Sequence, residues 1–103
     1  MKIKIIITTT NSDNTANDIA EYLVKEKLSP CVQITHNIQS IYSWKGKLVK
    51  SKEILLVIKT IPEMVQDCKK LILKYHNYDT PEFIVTDGEI LNDKYRDWFI
   101  DHY

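Results

Sequence analysis

Apolar and polar positions alternate and then change period several times along the chain, and those changes mark its elements. Lys2 to Thr9 is β-branched and partly alternating, and it stops at Asn11-Ser12-Asp13-Asn14, a cluster that ends a strand and offers N-caps. From Ala16 the apolar residues fall at Ala16, Ile19, Ala20, Leu23, Val24 and Leu28, the spacing of one helical face, with Glu21 and Lys25 paired on the wet side. Ser29-Pro30 is expected to end that helix, because proline cannot continue the ladder and disfavours helical backbone in the residue before it. A strand starts near Cys31. Val32 and Ile34 share one parity, Ile41 has the other, and a bulge at His36-Asn37 accounts for the slip.

Trp44-Lys45-Gly46-Lys47 predicts a glycine turn, followed by a return strand over Lys47 to Lys59. Thr60 and Glu63 fit a capping box with Pro62 in the first turn, and Met64, Val65, Cys68, Leu71, Ile72 and Tyr75 form the buried stripe of a second helix. His76-Asn77 closes it. Phe83 to Thr86 reads as a short strand, Asp87-Gly88 as a turn, and Asn92 as the cap of a terminal helix with Tyr95, Trp98, Phe99 and His102 on one face. The order is that of two βαβ units, an α+β ferredoxin-like βαββαβ sandwich with a long central hairpin and a C-terminal helix. Residues 1–103 make a single domain, without repeat, linker or low-complexity segment.

Composition narrows the function classes. Hydrophobic residues make up 44% and charged residues 27%, an ordinary globular balance, and 14 basic residues offset 14 acidic ones. Zero net charge argues against a nucleic-acid partner, and the Lys45 to Lys52 stretch reads as a solvated hairpin. The apolar start is too short for a signal segment and no run reaches membrane-spanning length, so no membrane association is expected. Cys31 and Cys68 form no C-x-x-C pair, which predicts reduced thiols and a cytoplasmic location.

Two features remain as candidate chemistry. The hairpin outruns the helices and carries Tyr42 and Trp44 near its tip, rings whose exposure calls for a cover, best supplied by another subunit with closed cyclic symmetry. The second is His76-Asn77-Tyr78-Asp79-Thr80-Pro81-Glu82, where an imidazole, a phenol and two carboxylates share one connection. His76 fits a metal ligand or proton carrier, and equally a helix C-terminal residue interacting with the dipole. Cys31 fits a soft ligand for Cu(I) or Zn, and equally a small buried hydrophobe. No metal-ligand spacing, phosphate loop or nucleophile elbow is present, and an acid/base pair of His76 and Glu82 is the weakest reading.

The segments Ser29-Pro30-Cys31-Val32, Ser40-Ile41-Tyr42-Ser43-Trp44-Lys45-Gly46-Lys47, Lys59-Thr60, His76 to Glu82 and Tyr95-Arg96-Asp97-Trp98 resemble, in order and spacing, the divalent-cation tolerance protein family, CutA. The resemblance spans essentially the whole chain. It implies a non-catalytic homotrimer, similar to the PII signalling proteins, with interlocked hairpins and a response to metal ions. It further implies copper or another divalent cation as cofactor, with His76, Cys31 and Glu82 as metal-site residues and Tyr42, Trp44, Glu53, Lys59, Tyr78 and Trp98 along an inter-subunit cleft. Gly46 and Pro81 match family positions as well. Thr8 and Tyr75 stand where some bacterial relatives place a Cys and a second His proposed for copper, Asn77 replaces a usual proline, and His36-Asn37 replaces a common Pro-Gly. The alternative is a PII-like module that takes a small anionic ligand, with Lys59 as attracting charge, or a protein partner not identified by the sequence.

Overall fold

The computed structural model describes residues 1–103. Its elements are β1 (Lys2–Thr10), α1 (Asp13–Lys25), β2 (Cys31–Trp44), β3 (Lys47–Thr60), α2 (Val65–Tyr75), β4 (Ile84–Glu89) and α3 (Asp93–Asp101), with a short 3-10 turn at Pro62–Met64 before α2. The strands form one antiparallel sheet in the order β2-β3-β1-β4, the ferredoxin-like arrangement expected. Helices α1 and α2 cover one face, where Ile6, Ile19, Leu23, Leu56, Ile58, Cys68 and Ile72 are buried together. Helix α3 crosses to the other face and buries Phe99 against Ile3 and Ile90, with Ile5 and Tyr95 packed beside them.

Ends of elements follow local chemistry. Ser12 caps α1 by accepting from the Thr15 amide, and Asn92 caps α3 by accepting from Tyr95. Helix α1 stops earlier than Ser29-Pro30 suggests. Lys27 adopts φ 59°, its amide donates to Val24 O, and the Leu28 amide donates to Leu23 O at 2.9 Å, a Schellman closure built without glycine. Thr60 does not serve as a cap either: α2 starts with no side-chain cap, and the Thr60 hydroxyl instead donates to Leu28 O at 2.6 Å, tying β3 to the turn after α1.

Asp87-Gly88 is likewise not a turn. Both residues lie within β4, paired with Lys4 and Ile3, and a Cβ at Gly88 would stand 2.9 Å from Ile5 Cδ1 and 3.3 Å from Ile3 Cγ1. Glycine is there for the close approach of the strand to those side chains, not for a bend. Gly46 is the conformational glycine: Lys45 and Gly46 have φ 50° and 77°, the pair of positive values that a two-residue type I′ hairpin needs.

Between Thr35↔Leu55 and Ile38↔Glu53 two residues of β2, His36 and Asn37, oppose the single Ile54 of β3. This is the expected bulge, and Asn37 takes it in left-handed backbone at φ 59°. Its effect is to exchange faces. Val32 and Ile34 pack with the helices, whereas beyond the bulge Ile38, Ser40, Tyr42 and Trp44 turn to the outer face with Glu53. The outer half of the β2–β3 hairpin thus leaves the body as an arm, giving the chain extents of 46 × 24 × 22 Å.

Candidate functional site

Under the arm, on the sheet face opposite α1 and α2, lies an open cavity of about 890 Å³. Ile7 and Thr9 of β1, Glu53 and Leu55 of β3, and Ile38, Ser40, Tyr42 and Trp44 of β2 form its floor, and Asn77, Tyr78, Asp79, Thr80 and Glu82 form one wall. The bulge is what brings Tyr42 and Trp44 to this side. Each ring remains about half exposed, at 43% and 52%, so neither folds back onto the body.

The wall is fixed at three points. His76 Nε2 donates to Thr9 O at 2.9 Å while Nδ1 accepts from the Tyr78 amide at 3.0 Å. Thr10 Oγ1 donates to Asn77 Oδ1, and the Asn77 amide donates to Asn11. Tyr78 crosses the cavity floor to donate its hydroxyl to Glu53 Oε2 at 2.7 Å. Glu53 is only 8% exposed, a carboxylate withdrawn from water and held by that phenol. Burial first, then the bond to Glu53, drives the Tyr78 hydroxyl well above the usual phenol range, so it stays a donor. Burial lowers the His76 pKa from 6.5, opposed by its bond to Thr9 O and the Glu53 charge.

The residues singled out in the sequence divide into two groups. Tyr42, Trp44, Glu53, Tyr78 and Glu82 meet at the cavity. Cys31 and Lys59 face each other in register at the far end of the hairpin, where Lys59 stands 5.8 Å from the Tyr95 ring and Tyr95 in turn packs on Trp98. Asp79, Thr80 and Ser40 complete the cavity and were not singled out as ligand residues. Asp79 lies in the His76 to Glu82 connection, while Ser40 acquires its place only through the bulge.

A copper centre on His76 fits this donor set poorly. Both ring nitrogens are committed to the backbone, Thr8 Oγ1 is 3.5 Å from Nε2 where a thiolate would be needed, and Tyr75 stacks on Tyr22 at 4.7 Å between ring centres. Cys31 lies at the other end of β2, and no three His, Cys, Asp or Glu side chains of one chain stand together as ligands for a metal ion. Cys68, the second thiol, is buried in the core, and its pKa is pushed up to about 11 by burial.

Comparison with known proteins bears on the whole chain. Residues 4–102 match the model of the CutA1 divalent ion tolerance protein family. The divalent-cation tolerance protein CutA of Thermus thermophilus is 34% identical over 95 residues, covering 92% of each chain. The crystal structure of divalent ion tolerance protein CutA1 from Ehrlichia chaffeensis superposes with a TM-score of 0.89 at 34% identity, covering 97% of this chain and 94% of that one. A relative from Arabidopsis thaliana, 34% identical over 91% of this chain and 52% of its own length, is named as chloroplastic, so cytoplasmic placement does not follow from kinship. No helix here is long and apolar enough to cross a membrane. Matched from Lys4 to His102 in sequence and nearly end to end in structure, the chain belongs to the CutA1 divalent ion tolerance protein family.

Proposed function

We propose that this chain acts in divalent-cation tolerance as a non-catalytic homotrimer, and that it meets its cation at the acidic cavity under the arm. The observation that carries this reading is the charge of the lining: Glu53, Asp79 and Glu82 contribute three carboxylates, and none of the fourteen lining residues is Lys, Arg or His. A cleft of one sign with low-dielectric walls concentrates ions of the other sign. Oxygen donors of this kind suit a hard divalent ion better than Cu(I), with Tyr78 holding Glu53 in place. The same charge disfavours an anionic ligand in this cavity, and Lys59 lies apart from it beside Tyr95.

Trimer formation is supported by the arm. Ile41, Tyr42, Trp44 and Leu48 are 58%, 43%, 52% and 73% exposed, and covering the remaining half of one such ring is worth about 2–3 kcal/mol. The outer sides of β2 and β4 are sheet edges with unpaired backbone groups, which a neighbouring copy can use. The two free thiols support a reducing compartment, the cytoplasm among them.

Calorimetric titration with Mn²⁺, Mg²⁺ and Cu²⁺ tests the cation site. Binding is expected to weaken in Glu82→Gln and Asp79→Asn and to survive in His76→Ala. Loss confined to His76→Ala would move the site back to the imidazole and refute the cavity.

A further inference from the structure

The arm leaves the body at a break in its own ladder. Regular pairing of β2 with β3 stops at Thr35↔Leu55 and resumes at Ile38↔Glu53, and the residues between, His36 and Asn37, carry the bend, with Asn37 in left-handed backbone. Two side-chain ties hold this root to the body, one from each face of the sheet. On the outer face Glu53 accepts from the Tyr78 hydroxyl at 2.7 Å. On the helix face His36 Nε2 stands 3.2 Å from Asp13 Oδ1. Asp13 is the first residue of α1, and its place is fixed because Ser12 caps the helix while the Ser12 amide donates to Thr10 Oγ1 at the end of β1.

We infer that His36 and Asp13 form a pH-sensitive latch that fixes the direction of the arm and, through it, the strength of assembly. The inference rests on the trimer proposed above and adds a control to it. Histidine is the side-chain type that changes charge between about pH 5 and 8. The imidazolium makes a charge-assisted hydrogen bond to a carboxylate, whereas the neutral ring offers only a neutral donor. Strand β2 packs mainly on β3 and α1. From α1 it meets Asp13, with Asn14 and Asn17 uncharged and Asp18 more than a turn further along. From β3 the residue opposite is Ile54, Lys52 follows on the same face and keeps its charge throughout, and Glu53 turns to the outer face. The change of charge at the root therefore belongs to His36, and the latch tightens as pH falls from about 8 to about 5. This is opposite in sign to His76, which the fold holds neutral. Both side chains of the pair are more than half exposed, 54% and 71%, so one latch shifts an equilibrium by roughly two- to fivefold. A closed trimer sets three arms at once, and the factors multiply to roughly ten- to a hundredfold.

The test follows dissociation of the full-chain trimer by light scattering on dilution at about pH 5.5 and about pH 8, with equal urea in every sample to bring dissociation into range. The parent is compared with Asp13→Asn, His36→Gln and the double variant. Both positions are exposed, so neither substitution touches the core. Between the two pH values the parent trimer is expected to gain roughly ten- to a hundredfold in tightness at the lower pH relative to Asp13→Asn, with His36→Gln and the double variant matching Asp13→Asn. The charge that Asp13→Asn removes from the start of α1 is the same at both pH values, and His76 and His102 titrate in every variant, so neither enters the ratio. An equal pH dependence of parent and Asp13→Asn would overturn the latch and leave the trimer standing. Single effects that add in the double variant would mean that the two side chains act separately, which also overturns it. A parent that is monomeric at both pH values without urea would refute the trimer and the coupling with it.

Discussion

At the scale of single residues, the Tyr78–Glu53 bond and the His76 imidazole hold the cavity in shape by different means. Glu53 is buried and accepts from the Tyr78 hydroxyl at 2.7 Å, so Tyr78→Phe strands a carboxylate away from water. Removing one partner of a buried hydrogen-bonded charge costs about 1–3 kcal/mol. Glu53→Gln keeps the shape without the charge, so the double variant should cost less than the sum of the two single ones, and urea unfolding of all four proteins checks this. His76 is held neutral, with Nε2–H on Thr9 O and Nδ1 receiving the Tyr78 amide. Since burial lowers its pKa in the folded chain, the unfolded chain takes up the proton first as pH falls. The stability tied to His76 is therefore complete above its ordinary value of 6.5 and declines as pH drops from there towards the lowered value. Protonation at Nδ1 would also break the bond from the Tyr78 amide. A His76→Gln variant should lose less stability than the parent between pH 7 and that limb, a difference that thermal melts across pH can measure.

At the scale of elements, the two glycines make opposite demands. Gly46→Ala meets open space and is penalised only for its φ of 77°, about 1 kcal/mol, whereas Gly88→Ala places a methyl group 2.9 Å from Ile5 Cδ1 in normal backbone. Gly88→Ala should cost about 1–3 kcal/mol unless Ile5 can rotate away, and denaturant midpoints will separate the two variants. Reading Asp87-Gly88 as a turn fails for this reason: glycine at a turn and glycine under a neighbouring side chain look alike in sequence. The end of α1 carries no residue signal in the sequence, because Lys27 takes a left-handed conformation usually marked by Gly or Asn. Thr60-x-x-Glu63 has the pattern of a capping box, yet the Thr60 hydroxyl finds a tertiary partner in Leu28 O. By contrast, the first three strands, the two main helices, the α3 cap and the bulge were legible, because period and parity report directly on which side is buried, whereas β4 runs on to Glu89 through the residues expected to turn. The cavity was legible only in part. Tyr42, Trp44, Glu53, Tyr78 and Glu82 could be named, but not that His76 would spend both nitrogens on the backbone, since the partner of Nε2, Thr9 O, comes from β1, nearly seventy positions away, and the turn that brings the Tyr78 amide onto Nδ1 has no signal of its own.

At the scale of the whole molecule, the bulge, the arm and the cavity form one device whose integrity can be tested through assembly. Two residues of β2 opposite one of β3 shift the parity of everything beyond Thr35, so Tyr42 and Trp44 share the outer face with Glu53 only because the extra residue is taken up in a bulge, which also bends and twists the arm. Deleting Asn37 should let Thr35-His36-Ile38 alternate regularly against Leu55-Ile54-Glu53, keeping Tyr42 opposite Val49 and Trp44 opposite Lys47 on the outer face while removing the bend and extra twist that the bulge gives the arm. The core under α1 and α2 lies before the bulge on β2 and should keep its helices and sheet, which circular dichroism can verify. Assembly should not survive in the same way, because the arm would leave the body in a different direction and present its rings to a neighbour at a different angle. Light scattering at micromolar concentration is expected to give three times the 12.1 kDa chain mass for the parent and a smaller species for the deletion. Trp44→Ala, which leaves the register alone and removes one ring, should weaken the trimer without abolishing it at high concentration. A parent protein that scatters as a monomer would refute the trimer. A deletion variant that stays fully trimeric would show that the bend at His36-Asn37 is not needed to bring the arm to its neighbour.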